Sequence, residues 1–231
     1  MSDNQSFFPS QPLLITVDGP AGAGKTSVSK ILAQRLSYTY VDTGALYRGV
    51  AIGAKRAGIQ ADDDAGLAGF CKKLHLCFEQ KADKTLLLMN GEDITSKIRE
   101  PEISMLASAV SANPVVRKFL LNLQKKMGEK KETVFEGRDM GTVVFPDADI
   151  KFFLDASIET RAARRYEELK EQTCQSPADV KTDMKRRDTN DSTRDLAPLK
   201  PADDSILINS THLSLEAVIE KIMECIKTAF G

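Results

Sequence analysis

The chain has 231 residues, a formal net charge of −1 and 42% hydrophobic residues. This length suits one α/β core with inserted segments, and the balanced charge gives no support for binding nucleic acid or an anionic membrane. No stretch approaches the roughly 18 apolar residues of a membrane helix, and the start lacks the pattern of a secretory signal. We therefore expect a cytoplasmic protein with a flexible tail over 1–12 and a single domain over 13–231. The four cysteines show no metal-ligand spacing with the two histidines, which favours reduced thiols.

The first element pair of the domain carries the strongest local signal. An apolar run over 13–17 predicts a buried strand, and apolar residues at helical spacing predict a helix after Lys25. Between them, the letters DGPAGAGKT over 18–26 fit the phosphate-binding pattern GxxxxGK(S/T). A loop at a helix N-terminus presents backbone N–H groups and the positive end of the helix dipole, so we expect a polyphosphate there. A chance match by a glycine-rich turn is the alternative, which the flanking strand and helix disfavour.

Each residue type in this loop suits a task in nucleotide binding. Glycine lets the backbone curl with its amides inward, and the Lys25 ammonium brings a mobile charge to the β- and γ-phosphates. The Thr26 hydroxyl can ligate Mg²⁺, and Asp18 either acts on that ion through water or shapes the loop. The predicted nucleotide-binding residues are Gly19, Pro20, Ala21, Gly22, Ala23, Gly24, Lys25, Thr26 and Ser27.

The next part of the chain completes a βαβα opening and then changes character. A short strand over 39–41 is followed by a helix that begins near 42–44. Between 58 and 99, short apolar runs and an Asn90-Gly91 turn predict a hairpin, because Asn-Gly between such runs is the strongest short hairpin signal. A small antiparallel sheet therefore interrupts the alternating pattern and marks an insert. Helices beginning at Pro101 and Pro114 follow.

Core strands resume over 133–135 and 150–154, and a last strand over 206–208 precedes a C-terminal helix. Polar residues follow the first two of these strands. In open parallel sheets, ligands bind at the carboxyl ends of strands, so these residues should lie where the chemistry happens. A charged excursion over 157–196 separates the last two strands. Its helix carries arginines that fit either a lid over phosphates or a solvated charged face, namely Arg161, Arg164 and Arg165.

Taken together, the motifs resemble those of the bacterial cytidylate kinases of the nucleoside monophosphate kinase superfamily. Besides the loop, the resemblance rests on DTGALYR over 42–48, EGRDMGT over 136–142 and the segment 187–194, and it covers nearly everything after Pro12. It implies a P-loop kinase fold: a five-stranded parallel sheet flanked by helices, with an inserted monophosphate-binding subdomain and a helical lid. The implied boundaries are 13–45, 114–156 and 197–231 for the core, 46–113 for the insert and 157–196 for the lid.

The resemblance also implies a reaction. The γ-phosphoryl of ATP moves onto CMP or dCMP, in pyrimidine nucleotide metabolism, to give CDP or dCDP plus ADP, with Mg²⁺ as the metal. The family pattern places Arg48, Arg138 and Arg194 around the acceptor phosphate, and three arginines suit a dianion. With Lys25, these arginines are the implied catalytic residues. No general base is needed, because a phosphate monoester is already ionised near neutral pH.

Residues that read the cytosine base follow from the same pattern. Asp139 would accept from the 4-amino group, while Arg117 and Ser108 would serve N3 and O2. Simpler roles compete with these: Arg117 as a surface residue, Ser108 in plain helix packing and Asp139 as a helix cap. The full implied substrate-binding set is Thr43, Tyr47, Arg48, Ser108, Arg117, Arg138, Asp139, Arg187, Asp191 and Arg194.

The chain departs from the family pattern at the metal end. Glu136 stands where many members carry Asp, and the loop ends Lys25-Thr26-Ser27 where Ser-Thr or Gly-Thr is more usual. Both keep the type of functional group.

Two other functions stay open at this point. A kinase for UMP or AMP would share the loop and the lid but not the base-reading set, and turnover across CMP, dCMP, UMP and AMP separates the two. A nucleotide-dependent switch would bind partners without phosphorylating a metabolite, but the chain has no NKxD guanine-reading motif. The expected partners are ATP and CMP or dCMP, with no nucleic acid and no membrane, and a monomer is expected.

Overall fold

The computed structural model describes residues 9–81, 84–170 and 175–231. The chain divides into two compact units, one formed by residues up to Val41 with Met127–Gly231, and one formed by Asp42–Lys126. The predicted boundaries of core, insert and lid stay predictions. Among the helices that the structure describes, none has the length and apolar character needed to cross a membrane.

The first unit contains a parallel sheet with helices around it. Across the described ranges, five strands form this sheet in the order β2-β6-β1-β7-β8. The strands are β1 Leu14–Asp18, β2 Thr39–Asp42, β6 Thr133–Glu136, β7 Ile150–Asp155 and β8 Ile206–Asn209. The helices of this unit are α1 Lys25–Leu36, α6 Ile158–Leu169, α7 Pro177–Thr193 and α8 Leu215–Phe230, with a short helical turn at Met140–Val144. The predicted α/β fold with a five-stranded parallel sheet is confirmed.

The burial of the central strand β1 explains why its sequence is a continuous apolar run. All five of its residues are buried, and Ile15 pairs with Val134 on one side and Ile150 on the other. A parallel strand covered on both faces needs apolar residues throughout rather than alternation. Side chains of α1 and α8, such as Leu32 and Ile219, are fully buried in the same cluster. The core therefore fixes the carboxyl end of β1, where the loop to α1 begins.

The second unit combines helices with a small antiparallel sheet. The sheet has the order β3-β4-β5 within the described residues, and the Asn90–Gly91 turn joins β4 to β5. Both turn residues have positive φ, 50° and 84°, as a tight two-residue hairpin requires. The predicted hairpin turn is confirmed, whereas the connection from β3 to β4 lies outside the described residues. The elements are α2 Thr43–Arg56, α3 Asp64–Cys71, β3 Leu76–Lys81, β4 Lys84–Met89, β5 Glu92–Asp93, a 3₁₀ turn Lys97–Arg99, α4 Pro101–Val110 and α5 Pro114–Gly128.

Candidate active site

The loop between β1 and α1 depends on glycine. Gly19 has a φ of +144° and Gly22 a φ of +74°, in the region that L side chains disfavour. Space also excludes a side chain: a Cβ on Gly19 would lie 2.0 Å from the Leu154 carbonyl oxygen, and one on Gly22 would lie 2.9 Å from that of Arg161. Gly24 precedes α1 in a left-handed conformation and, being glycine, offers no side-chain cap. The first-turn N–H groups of α1 therefore favour an anionic ligand.

Lys25 begins α1 and is almost completely buried, with 6% of its surface exposed. Its ammonium nitrogen donates to the carbonyl oxygen of Pro20 at 2.6 Å. Burial lowers the pKa of Lys25 well below its ordinary value, and the nearby guanidinium of Arg138 adds to this effect. A phosphate beside the nitrogen would raise that pKa again, because a negative charge favours the protonated form. The position thus suits a polyanion.

Oxygen atoms of three elements meet next to the start of α1. The Thr26 hydroxyl donates to Glu136 Oε1 at 2.8 Å, and the Tyr40 hydroxyl donates to Glu136 Oε2 at 2.8 Å. Hydroxyl and carboxylate oxygens are the ligands that Mg²⁺ prefers. In the described parts of the chain, no group of three or more His, Cys, Asp or Glu side chains is placed to hold a metal ion. A cation beside Thr26 would therefore draw further ligands from phosphate and water.

Asp18 ends β1 and lies beside the same loop. Its two carboxylate oxygens accept the N–H groups of Met140 and Gly141, at 3.0 and 2.7 Å. Burial raises the pKa of Asp18 to about 6, although these two hydrogen bonds oppose the rise. The carboxylate is thus ionised at neutral pH, and a nearby divalent cation would lower its pKa further.

A second cluster of the first unit alternates arginine and aspartate. Asp191 Oδ2 lies 3.0 Å from Arg138 Nε and 4.0 Å from Arg187 Nε, and Asp139 Oδ1 lies 3.6 Å from Arg194 Nη2. Burial raises the pKa of Asp191, but the three guanidinium groups together outweigh burial and hold that pKa below its ordinary value. Two buried carboxylates therefore face three guanidinium groups. The surplus of positive charge suits a dianionic phosphate.

Arg161 of α6 contacts the outer side of the phosphate loop. Its Nη1 donates to the Ala21 carbonyl oxygen at 3.1 Å and to Asp188 Oδ2 at 2.5 Å. The side chain of Arg161 is only 9% exposed, whereas Arg165 on the same helix pairs with the exposed Glu168. Arg161 is thus a buried link between the loop and α7, and Arg165 belongs to a solvated face.

Arg164 makes a similar contact one turn further along α6. Its guanidinium donates to the hydroxyl and carbonyl oxygens of Ser210, at 3.1 and 2.9 Å, and lies 3.5 Å from the carbonyl oxygen of Ala23. In a planar trans peptide the carbonyl and the following N–H point in opposite directions. The carbonyls held by α6 therefore turn the N–H groups of Gly22 and Gly24 away from the arginines, which favours an anion in the loop.

In the second unit, Asp42 holds the start of α2. Its Oδ1 accepts the Ala45 N–H at 2.9 Å, and its Oδ2 accepts from Arg48 Nη2 at 2.8 Å. One carboxylate therefore caps the helix and fixes an arginine one turn later. Thr43, the first residue of α2, is buried.

The same unit brings Arg117 of α5 to Tyr47 of α2. The guanidinium carbon of Arg117 lies 5.9 Å from the centroid of the Tyr47 ring, which is a cation–π distance. Arg117 Nη1 also donates to the Ser111 carbonyl oxygen at 3.1 Å, and the Ser111 hydroxyl donates to the Ser108 carbonyl oxygen at 2.8 Å. Arg117 and Ser108 are both half-buried. Arg117 is thus held by partners and is not a solvated surface residue.

Comparison with known proteins identifies the family. The family model of cytidylate kinase matches residues 15–228. A curated cytidylate kinase of Citrifermentans bemidjiense is 48% identical over 217 residues, and one of Geobacter sulfurreducens is 49% identical over 216, each match covering 93% of this chain and 93% of the relative. This chain belongs to the cytidylate kinase family. The predicted family is confirmed.

Among solved structures, the shikimate kinase of Bacteroides thetaiotaomicron has the same fold as this cytidylate kinase family member. The two are 11% identical, with a TM-score of 0.51 over 94% of this chain and 99% of that one. At this level of identity the likeness concerns the fold alone.

All site residues predicted from the family resemblance lie in the described parts of this cytidylate kinase family member. The loop 19–27 adjoins Asp18, and the charges of Arg138 and Arg187 act on Lys25 through space. The second unit brings Tyr47 to Arg117, and Asp42 holds Arg48 near the start of α2. The roles of these residues toward substrates stay predictions, and they concern Thr43, Tyr47, Arg48, Ser108, Arg117, Arg138, Asp139, Arg187, Asp191 and Arg194.

Three contacts made by the loop or by residues next to it were not predicted from the sequence. Arg161 and Arg164 were visible as arginines at i and i+3 of a helix, but the carbonyls they contact lie about 140 residues away. Tyr40 alternates with buried Val41 on β2, and its partner Glu136 is 96 residues away. The useful signal would have been the unusual glutamate at 136, whose longer side chain reaches further than aspartate.

Proposed function

We propose that this chain transfers the γ-phosphoryl of ATP to the phosphate of CMP or dCMP, giving CDP or dCDP and ADP. The observation that carries the proposal is a glycine-dependent loop that leads into α1, with the Lys25 side chain almost completely buried against it. That arrangement gathers positive charge at the end of β1 in a chain of the cytidylate kinase family. Phosphoryl transfer needs such charge, because its transition state spreads negative charge over the non-bridging oxygens.

On the donor side, the loop 19–27 binds the phosphates of ATP. Lys25 and the N–H groups of α1 contact the β- and γ-phosphates. Mg²⁺ would bind the Thr26 hydroxyl, with Asp18 acting through water, and it would neutralise phosphate charge. The donor set of hydroxyl and carboxylate oxygens supports this choice of ion.

On the acceptor side, Arg48, Arg138 and Arg194 bind the monophosphate. Each charge-assisted hydrogen bond contributes roughly 1.5–3 kcal/mol. Tyr47, Arg187 and Asp191 contact the ribose, and Thr43 is a further substrate-binding residue. The ion pairs of Asp42 with Arg48 and of Asp191 with Arg138 support these roles, since they hold the guanidinium groups before substrate arrives.

Asp139, Arg117 and Ser108 select cytosine. The Asp139 carboxylate is 2% exposed and lies 3.6 Å from Arg194, and its oxygens would accept from the 4-amino group. Uracil presents an acceptor at that position, so two acceptors would face each other at a cost of roughly 1–3 kcal/mol. The competing role of Asp139 as a helix cap has no support, because its side chain makes no cap hydrogen bond to the turn that follows it.

The transfer needs positioning and charge rather than a base. The acceptor oxygen is ionised near neutral pH and attacks in line, while Lys25 and the arginines stabilise the charge that develops. We further expect a monomer that acts in the cytoplasm without a nucleic-acid partner, and size-exclusion chromatography with light scattering tests the monomer.

Steady-state turnover with CMP, dCMP, UMP and AMP tests the reaction. The expected result is ADP formation that depends on CMP or dCMP, with UMP poorer and AMP inert. A clear preference for AMP contradicts the cytosine-reading set, and nucleotide hydrolysis indifferent to CMP contradicts a kinase.

A titration of CMP against Asp139→Asn tests the base contact. The variant should lose its preference for CMP over UMP while remaining folded, as circular dichroism can check. Asp203→Asn is the matched control, because Asp203 is exposed on the connection before β8. Undiminished cytosine preference in Asp139→Asn would remove Asp139 from the site.

A further inference from the structure

The strand order of the first unit places β2 beside β6, and a bridging carboxylate connects them to α1. Glu136 is the last residue of β6 and is 7% exposed. Its Oε2 accepts from the Tyr40 hydroxyl of β2, and its Oε1 accepts from the Thr26 hydroxyl in the first turn of α1, both at 2.8 Å. Each carboxylate oxygen thus has a hydroxyl donor on a different element.

This bridge fixes the direction of the Thr26 hydroxyl. A threonine hydroxyl has one hydrogen, and when Glu136 accepts it the lone pairs of the oxygen point away from Glu136. Lone pairs in that direction are what a metal ion requires of a hydroxyl ligand. The carboxylate keeps this orientation only if it does not rotate, and the Tyr40 hydroxyl on Oε2 opposes rotation.

The ring of Tyr40 is itself held against α1. The Lys30 ammonium lies 5.6 Å from the ring centroid, and Lys30 stands one helical turn after Thr26. A cation at that distance attracts the ring face. Tyr40, Glu136 and Thr26 therefore form one connected unit across β2, β6 and α1.

The side-chain length at position 136 decides whether the bridge can form. Aspartate is shorter by one C–C bond of about 1.5 Å. An aspartate could not keep both 2.8 Å contacts without a movement of the backbone. The bridge therefore requires both the longer side chain of Glu136 and the hydroxyl of Tyr40 on the neighbouring strand.

We propose that Tyr40 is a positioning residue that acts through Glu136 on the Thr26 hydroxyl and so strengthens the binding of nucleotide with its divalent cation. The inference rests on the proposed function for the cation at Thr26 and adds a residue outside the loop to it. Partners of metal-binding groups commonly change metal affinity by about 10–100-fold when removed.

The test compares ADP binding with and without Mg²⁺. Isothermal titration of ADP is carried out in excess MgCl₂ and again in EDTA, with no acceptor present. In Tyr40→Phe we expect about tenfold weaker ADP binding in MgCl₂ and unchanged binding in EDTA. Tyr38→Phe is the matched control, since Tyr38 lies two residues before Tyr40 and its hydroxyl accepts the Leu13 N–H instead of contacting Glu136. The control should leave both affinities unchanged.

A second pair of variants separates positioning from packing. Glu136→Asp should weaken ADP binding in MgCl₂ like Tyr40→Phe, and adding Tyr40→Phe to Glu136→Asp should change the affinity less than twofold, because the link is already broken. Equal losses in MgCl₂ and EDTA would mean a purely structural Tyr40 and would overturn the proposal. An unchanged affinity in Tyr40→Phe, or an additive double variant, would overturn it as well.

These outcomes are independent of the acceptor. Because the titration contains no CMP, the Tyr40 effect is measured even if turnover assays reject CMP as the substrate. If the ADP affinity of the wild-type protein were the same with and without Mg²⁺, the proposed role of Tyr40 would be overturned. The proposed CMP-dependent turnover would not be affected by that result.

Discussion

The phosphate loop of the first unit and Arg48 of the second unit are held in different ways. In the first unit, side chains are fixed by partners far away in the sequence: Thr26 and Glu136 are 110 residues apart, and Arg161 and Ala21 are 140 apart. In the second unit, Arg48 is held by Asp42 only six residues away. Distant contacts exist only when the whole sheet is assembled, whereas a local contact depends on one helix start. We infer that the loop loses its shape only when the sheet unfolds, whereas the Arg48 side chain can rearrange locally.

Replacing Lys25 by methionine should have the largest effect, because it removes the buried amino group at the start of α1. We expect kcat for ADP formation to fall by about 10²–10³, the usual loss for a group that stabilises transition-state charge. The free energy of unfolding should not fall, since burial already disfavours the charged form of Lys25. Turnover assays and urea unfolding measure both. Lys221→Met on the exposed face of α8 is the control, and a threefold loss or less in Lys25→Met would contradict the assigned role.

The buried Asp18 makes the first unit sensitive to pH. Its pKa rises to about 6 from 3.8, so the folded chain binds a proton more tightly than the unfolded chain does. Raising the pH from about 4 to 6 should therefore reduce the contribution of Asp18 to the free energy of unfolding, by up to roughly 3 kcal/mol. Asp18→Asn does not titrate. Urea unfolding in EDTA from pH 4.5 to 7.5 should show the wild-type stability falling relative to the variant up to about pH 6 and then staying level. A constant difference across this range would contradict the raised pKa.

Arg161 and Arg165 sharpen the comparison within one helix. Arg161→Ala removes a buried partner of Asp188 and of the loop, so the free energy of unfolding should fall by about 2–3 kcal/mol. Arg165→Ala breaks an exposed pair with Glu168 and should change it by about 0–0.5 kcal/mol. The ATP affinity of Arg161→Ala should also fall. Equal losses in the two variants would mean that the contact of Arg161 with the loop does not contribute to the free energy of unfolding.

In the second unit, replacing Arg48 should change the binding of CMP rather than the stability of the protein. Arg48→Ala removes a proposed phosphate contact and should raise KM for CMP about 10–100-fold, as expected for a charge-assisted hydrogen bond. Asp42 still caps Ala45, so we expect the melting temperature and the ATP affinity to stay unchanged. Arg56→Ala, on the same helix but paired with the exposed Glu92, is the control. A large loss of stability in Arg48→Ala would contradict the local character of this unit.

The parts that sequence predicts are those with local causes. The phosphate loop follows from a buried strand, a glycine pattern and a helix within 24 consecutive residues, and the Asn90–Gly91 turn follows from two residues that tolerate positive φ. The contact of Tyr40 with Glu136 could not be predicted, because it requires β2 to lie beside β6. The order of strands in a sheet depends on the whole chain and cannot be inferred from any single segment. For the same reason, the sequence could not decide whether Arg161 belongs to a lid or to a charged surface, because its carbonyl partner Ala21 lies 140 residues away.

The carbonyl contacts of Arg161 and Arg164 determine when the loop becomes ordered. Ordering one residue costs about 1–2 kcal/mol of backbone entropy, and here the loop loses that freedom as the chain folds and not each time a nucleotide arrives. Binding then needs no search for a loop conformation, so association is set by diffusion and charge. Departure requires only that the phosphate contacts break. A loop that is already in shape is thus well suited to a cycle in which ADP must leave and ATP must enter at every turnover.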